Sequence, residues 1–228
     1  MEASRISCRR VAPLLSVFVI ASCTSSTPAV SSRGDIQVAP GSSDQVLLGR
    51  QLVITHDCGG CHGGFHNPAN KGWLAGTMSP TEPFHVGACN IDNPTAKPCY
   101  ITRARNLTPD NATGLGRFSE RQIFNALRYG LRPEDTPDVE IKSTIPGQGN
   151  FPDNPHYLAP PMPWPSWRHM TDQELWAIAA YLKHGVKPVT NRVEESDGPP
   201  DFWAALYERR GIGPYPAAPF PTANEQLR

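Results

Sequence analysis

The chain has 228 residues, with 21 basic and 21 acidic side chains and no formal net charge at neutral pH. That balance speaks against a nucleic-acid partner, which calls for a surplus of Lys and Arg. The 25 prolines and 19 glycines predict ordered loops packed on something large, and the length supports one domain with extensions.

At the start, Arg5, Arg9 and Arg10 precede an apolar run from Val11 to Ile20 and then small residues. This is the pattern of a secretory signal peptide, too short to cross a bilayer. Ile20-Ala21-Ser22-Cys23 resembles the lipobox of bacterial lipoproteins, in which the cysteine is acylated and becomes the new N-terminus. The expectation is therefore a signal over residues 1–22 and lipidation at Cys23, the alternative being ordinary cleavage nearby with Cys23 incidental. Residues 23–43, rich in Ser, Thr, Pro and Gly, read as a flexible tether. Loss of residues 1–22 leaves 18 basic against 20 acidic side chains.

A first helix is predicted from about Asp44 to Thr55, capped by Ser43 or Asp44, with Val46, Leu47, Val53 and Ile54 as its apolar stripe and Leu48 and Leu52 alongside. It delivers the chain to Cys58-Gly59-Gly60-Cys61-His62. Two cysteines three apart, followed at once by histidine, form the attachment signature for c-type haem. Each thiol adds to one vinyl group of the porphyrin, and the histidine lies under the iron. A bare C-x-x-C also suits a redox dithiol or half of a zinc site. The chain has no second C-x-x-C, and the Pro-rich surroundings do not suggest a βαβ setting.

From Gly63 to Arg105 periodicity is lost, which predicts a long loop region, functional or packed on a cofactor. Cys8 leaves with the signal, Cys23 takes lipid, and Cys58 and Cys61 take haem. Cys89 and Cys99 remain, and a disulfide between them is the simplest assignment, with two free buried thiols as the alternative. Asn106-Leu107-Thr108-Pro109-Asp110 then leads to a second helix: Ser119 and Gln122 make a capping box, Ile123, Phe124 and Leu127 form the buried stripe, and Gly130 ends it. Arg121, Arg128 and Arg132 fall on its far side, as a solvated face or as a patch for a redox partner or a haem propionate. No clear element is predicted from Leu131 to Tyr157.

Ala159-Pro160-Pro161-Met162-Pro163-Trp164-Pro165 is rigid because its prolines fix much of the backbone, and a methionine held there is a candidate metal ligand. Met78, His56, His66, His85, His156, His169 and His184 are the other candidates. Thr171 and Glu174 box the start of a last helix, Met170 can staple onto Leu175, and the helix runs through Trp176, Ile178, Ala179, Tyr181 and Leu182 to Gly185. Beyond Pro199-Pro200, Asp201 to Arg210 can form a short helix that packs back on the body or docks on a partner.

From about Asp44 to Val193 the chain resembles class I c-type cytochromes, in particular bacterial single-haem carriers and the cytochrome subunits of periplasmic dehydrogenases. The resemblance rests on Gly49, the Cys58 to His62 motif, the Asn106 to Asp110 turn, Pro161-Met162-Pro163 and the closing helix with Tyr181. It implies an all-α cytochrome c fold, a small helical bundle around one covalent haem c with long Pro/Gly-rich loops. The domain would span residues 44–193, with a Pro-rich extension over residues 194–228. The resemblance further implies Cys58 and Cys61 as thioether anchors, His62 and Met162 as iron ligands, and a close helix crossing at Gly49 against Tyr181.

Family members often carry proline where this chain has Arg105, and the carbonyl there accepts a hydrogen bond from the haem histidine; the carbonyl of Arg105 can still serve, with less local rigidity than proline gives. The implied function is electron transfer between redox proteins on the periplasmic side of a bacterial membrane, with no catalytic residue. The chain would act as a carrier or as the electron-accepting subunit of a dehydrogenase complex. A haem sensor or peroxidase would need an open distal position. Thr24 after the lipidated cysteine favours the outer membrane over the inner.

Overall fold

The computed structural model describes residues 42–76, 83–90 and 92–196, together with Ala204. The expected signal peptide, Cys23, most of the tether, Met78 and the tail helix lie outside the described residues.

Helix α1 spans Ser43–Thr55 and is capped by Ser42, whose hydroxyl accepts from the Gln45 amide at 3.2 Å. The cap lies just before the expected pair because a third cap-forming residue sits there, and it satisfies one of the orphan amides of the first turn. Gln45, Gly49, Leu52 and Val53 face inward, a spacing of one helical stripe, while Leu47 of the expected stripe points to solvent.

Helix α2 is the single turn Cys58–His62, helix α3 spans Glu120–Tyr129, and helix α4 is the turn Trp164–Trp167. Helix α5 spans Asp172–Ala180 and continues as one turn of π-helix, Tyr181–Gly185. The capping boxes of α3 and α5 form as expected from Ser119 with Gln122 and from Thr171 with Glu174. α3 packs on α5, and α1 packs on α5 and the turn that follows it. Their inner faces meet in one core that includes Leu52, Val53, Leu74, Phe124, Leu175 and Tyr181. A Cβ at Gly49 would stand 1.8 Å from the Ala177 carbonyl oxygen and 2.7 Å from Tyr181 Cβ, so the absence of a side chain permits this approach.

The expectation of an all-α chain is corrected by a two-stranded antiparallel sheet in the stretch expected to be loop. Strand β1, Phe84–Gly87, pairs with strand β2, Cys99–Thr102, in the register Phe84 to Thr102 and Gly87 to Cys99. Cys89 is joined to Cys99 by a disulfide at the end of this hairpin. Strands of four residues carry little alternation of their own, and here the pairing defines them.

The stretch from Leu131 to Tyr157 closes on itself through a bridge between those two residues, over a second small core of Tyr129, Leu131, Ile141 and Phe151. Buried Asn125 fastens it by donating to the carbonyls of Pro137 and Val139, each at 2.9 Å. The three arginines of α3 and its exit form neither a solvated face nor a shared patch. Arg128 is buried and donates to the Arg168 carbonyl and to Asp172. The Arg121 guanidinium lies 4.4 Å over the Trp176 ring, and Arg132 Nε donates to the Tyr157 carbonyl.

Candidate haem site

The attachment motif folds as α2 directly after Asp57, which adopts a left-handed conformation with φ of 53°. Positions three apart in a helical turn share a face, so the two thiols lie on one side. Neither cysteine is in a disulfide; Cys58 is buried and Cys61 exposed. The turn is fitted closely to its surroundings: a Cβ at Gly59 would meet the Trp73 ring at 2.2 Å and the Phe65 carbonyl at 2.3 Å. Trp73 is buried and donates its indole N–H to the Tyr181 hydroxyl at 3.0 Å, which couples the motif turn to the end of the last helix. Sequence reasoning missed Trp73, which lies in a stretch without periodicity; the glycine facing it inside the motif was its only local signal.

His62 is buried, with Nδ1 2.7 Å from the Arg105 carbonyl. A carbonyl only accepts, so Nδ1 carries the proton and Nε2 is the nitrogen offered to a metal. Burial holds the imidazole below its ordinary pKa, and the bond to Arg105 opposes that effect in part. A neutral imidazole with a fixed tautomer is the form that ligates iron.

Burial pushes Cys58 up to about 12, with the charges of Asp57 and Cys61 adding and a backbone hydrogen bond opposing. Cys61 is raised by burial and then by Asp57. Reactive dithiols are built the opposite way, with a lowered thiol pKa. Among the described residues no group of three His, Cys, Asp or Glu is placed to hold a metal ion. Two thiols on one face beside a neutral, oriented imidazole fit covalent haem.

Met162 is half-buried on the same core as Cys58. Its amide donates to the Ala159 carbonyl at 2.8 Å and its carbonyl accepts from the Trp164 amide at 2.9 Å, so a tight turn holds it just before α4. Among the other candidates, His56 Nδ1 meets the Leu52 carbonyl, His66 Nδ1 meets Asp57, His156 Nδ1 meets Asp135 and His184 Nε2 meets Glu120. His85 lies in β1 and His169 half-buried just before α5.

The Asn106 turn is a folded unit in its own right. Asn106 is buried, and its Oδ1 accepts from the Thr108 amide at 2.9 Å, while Asp110 Oδ1 accepts from the Thr113 amide at 2.7 Å. Such side-chain to backbone bonds suit Asn and Asp to these positions.

Comparison with known proteins follows this geometry. The chain is 27% identical over 177 residues to the cytochrome c subunit of a quinone alcohol dehydrogenase from Gluconacetobacter polyoxogenes, covering 78% of this chain and 29% of that one. It is 28% identical over 171 residues to the gluconate 2-dehydrogenase cytochrome c subunit of Pantoea cypripedii, covering 73% of this chain and 30% of that one. It is 28% identical over 144 residues to the fructose dehydrogenase cytochrome subunit of Gluconobacter japonicus, covering 63% of this chain and 22% of that one. The chain thus spans less than a third of the length of these relatives. The Cytochrome c family model matches residues 46–185, more than half of the chain. That stretch runs from α1 past the attachment turn to the end of the last helix, and the chain belongs to the cytochrome c family, with covalently bound haem c as its cofactor.

Proposed function

We propose that this chain carries single electrons from a dehydrogenase to a further redox protein on the periplasmic side of a bacterial membrane. The observation that carries the proposal is buried His62, oriented by the Arg105 carbonyl beside two cysteines on one turn. The dehydrogenase partner is supported by the names of the relatives, each the cytochrome subunit of such an enzyme.

In this assignment Cys58 and Cys61 would hold the haem through thioethers, and His62, through Nε2, and Met162 would ligate its iron. When bound, the haem supplies a one-electron ferrous/ferric couple whose potential His/Met ligation raises. With His62 and Met162 both committed to holding the group, the chain would leave no place on it for a substrate, and no side chain is assigned as acid or base. Oxidation of the organic substrate then belongs to the catalytic partner.

Acylation of Cys23 anchors the protein, with residues 23–43 as tether, residues 44–193 as the haem domain and residues 194–228 as an extension. More than one acyl chain makes such anchoring stable. Thr24 favours the outer membrane. Among the described residues no helix is long and apolar enough to cross a membrane.

Optical spectra of the matured protein, oxidised and reduced, test the ligand set. The wild type should show the red-end sulfur-to-ferric-iron band and should not bind carbon monoxide, and Met162→Ala should lose the band. A wild type without the band, or one that takes up carbon monoxide readily, removes Met162 as ligand and moves a sensor or peroxidase ahead. For the partner, the membrane fraction holding this cytochrome should also hold a dehydrogenase and reduce the haem when given that enzyme's substrate.

A further inference from the structure

Resting on His62 as an iron ligand, we infer that residues 189–196 form a strap that positions the Arg105 carbonyl on the imidazole, with Asn191 as its central positioning residue. The observations concern the two loops that flank His62. One runs through Leu74, Ala75 and Gly76, and its Gly76 amide donates to the His62 carbonyl at 2.7 Å. The other carries Arg105, whose carbonyl meets Nδ1. The loops touch where the Leu107 amide donates to the Leu74 carbonyl at 2.8 Å. Arg105 itself has the rotational freedom of an ordinary residue, so its carbonyl must be aimed by what surrounds it.

The strap reaches both loops. Asn191 Nδ2 donates to the Ala75 carbonyl at 2.8 Å, and the Asn191 amide donates to Thr113 Oγ1 at 3.0 Å. Buried Asn106, the residue after Arg105, donates to the Val189 carbonyl at 2.8 Å. The Val189 amide donates to Thr108 Oγ1 at 3.1 Å, and Thr190 donates to Asp110 Oδ2 at 2.8 Å. The far end of the strap grips Arg105 and its neighbour by charge: Arg105 meets Glu195 at 2.6 Å, and Arg103 meets Glu194 at 3.0 Å. Residues 194–196, expected to belong to a separate extension, are thus fastened to the segment that serves His62.

The consequence concerns the iron. A short, well-aimed bond from Nδ1–H to a carbonyl makes the imidazole a stronger electron donor through Nε2, and this favours the ferric state. Loosening the strap lengthens that bond, weakens the donation and raises the reduction potential.

The test uses the matured, haem-loaded full chain as wild type, Asn191→Ala and Glu195→Gln. Two quantities are read: the midpoint potential, by spectroelectrochemistry, and the solvent exchange rate of the His62 Nδ1 proton, by NMR of the diamagnetic ferrous protein. Asn191→Ala should raise exchange about tenfold and shift the potential upward. Glu195→Gln should move both in the same direction by less. Its ion pair is exposed and contributes little to folding, so this variant decides the matter if Asn191→Ala does not mature. Variants that melt earlier yet keep the wild-type potential and exchange rate overturn the strap, as does a downward shift in potential. A wild type whose His62 is not bonded to iron overturns the ligand assignment itself, before any variant is compared.

Discussion

Gly49 stands where a methyl group would lie 1.8 Å from the Ala177 carbonyl oxygen, so Gly49→Ala has to push α1 away from α5. The better helix propensity of alanine recovers about 1 kcal/mol, and the overpacking costs about 3 kcal/mol. We expect a net loss of about 2 kcal/mol, seen as a lower urea midpoint at unchanged slope. An unmoved midpoint would show that the helices separate freely. At this scale part of the site was legible. The family resemblance pointed to Gly49 in the first helix and to the Arg105 carbonyl before the Asn106 turn. Gly59 and Trp73 were not: the need for a bare Cα arises from a ring reached through folding, and nothing adjacent in the chain records it.

Among the elements, those with local grammar were readable. The capping boxes of α3 and α5 are four-residue signals whose partners lie within one turn, so sequence order is already spatial order. Thr171→Ala removes the acceptor of the Glu174 amide and should cost about 1 kcal/mol, lowering the melting temperature by roughly 2–4 °C in a domain of this size. A thermal melt followed by helix circular dichroism checks this, and no shift would mean that the first turn of α5 is held by packing alone. The hairpin was not readable, because Phe84 finds Thr102 only after the intervening chain has turned back. Helix α4 was hidden for a different reason. Its prolines suggested a stiff loop, whereas proline is tolerated in the first turn of a helix, where Pro165 sits.

For the molecule as a whole, the strap's return to the Asn106 turn adds a small acid sensitivity through two carboxylates. Asp110 is held below its ordinary value of 3.8 by Thr113 and then Thr190, and Glu195 below 4.5 by Arg105. Both are depressed, so the unfolded chain binds the extra protons. Their contribution is complete above the ordinary values and is lost as pH falls through the lower folded ones. Denaturation midpoints measured from pH 7 down to pH 3 should therefore fall less steeply for an Asp110→Asn, Glu195→Gln variant than for the wild type. Parallel curves would show that these carboxylates titrate alike in both states. The sequence by itself determined the helices with their caps, the motif that marks covalent haem and the family resemblance, because each is written in residues a few positions apart. Tertiary structure alone decided which glycine must face Trp73, that a sheet forms between Phe84 and Thr102, that Arg128 is buried, and that Asn191 reaches Ala75. Those contacts join residues far apart in the chain, and their geometry exists only once the core of α1, α3 and α5 has brought the loops together.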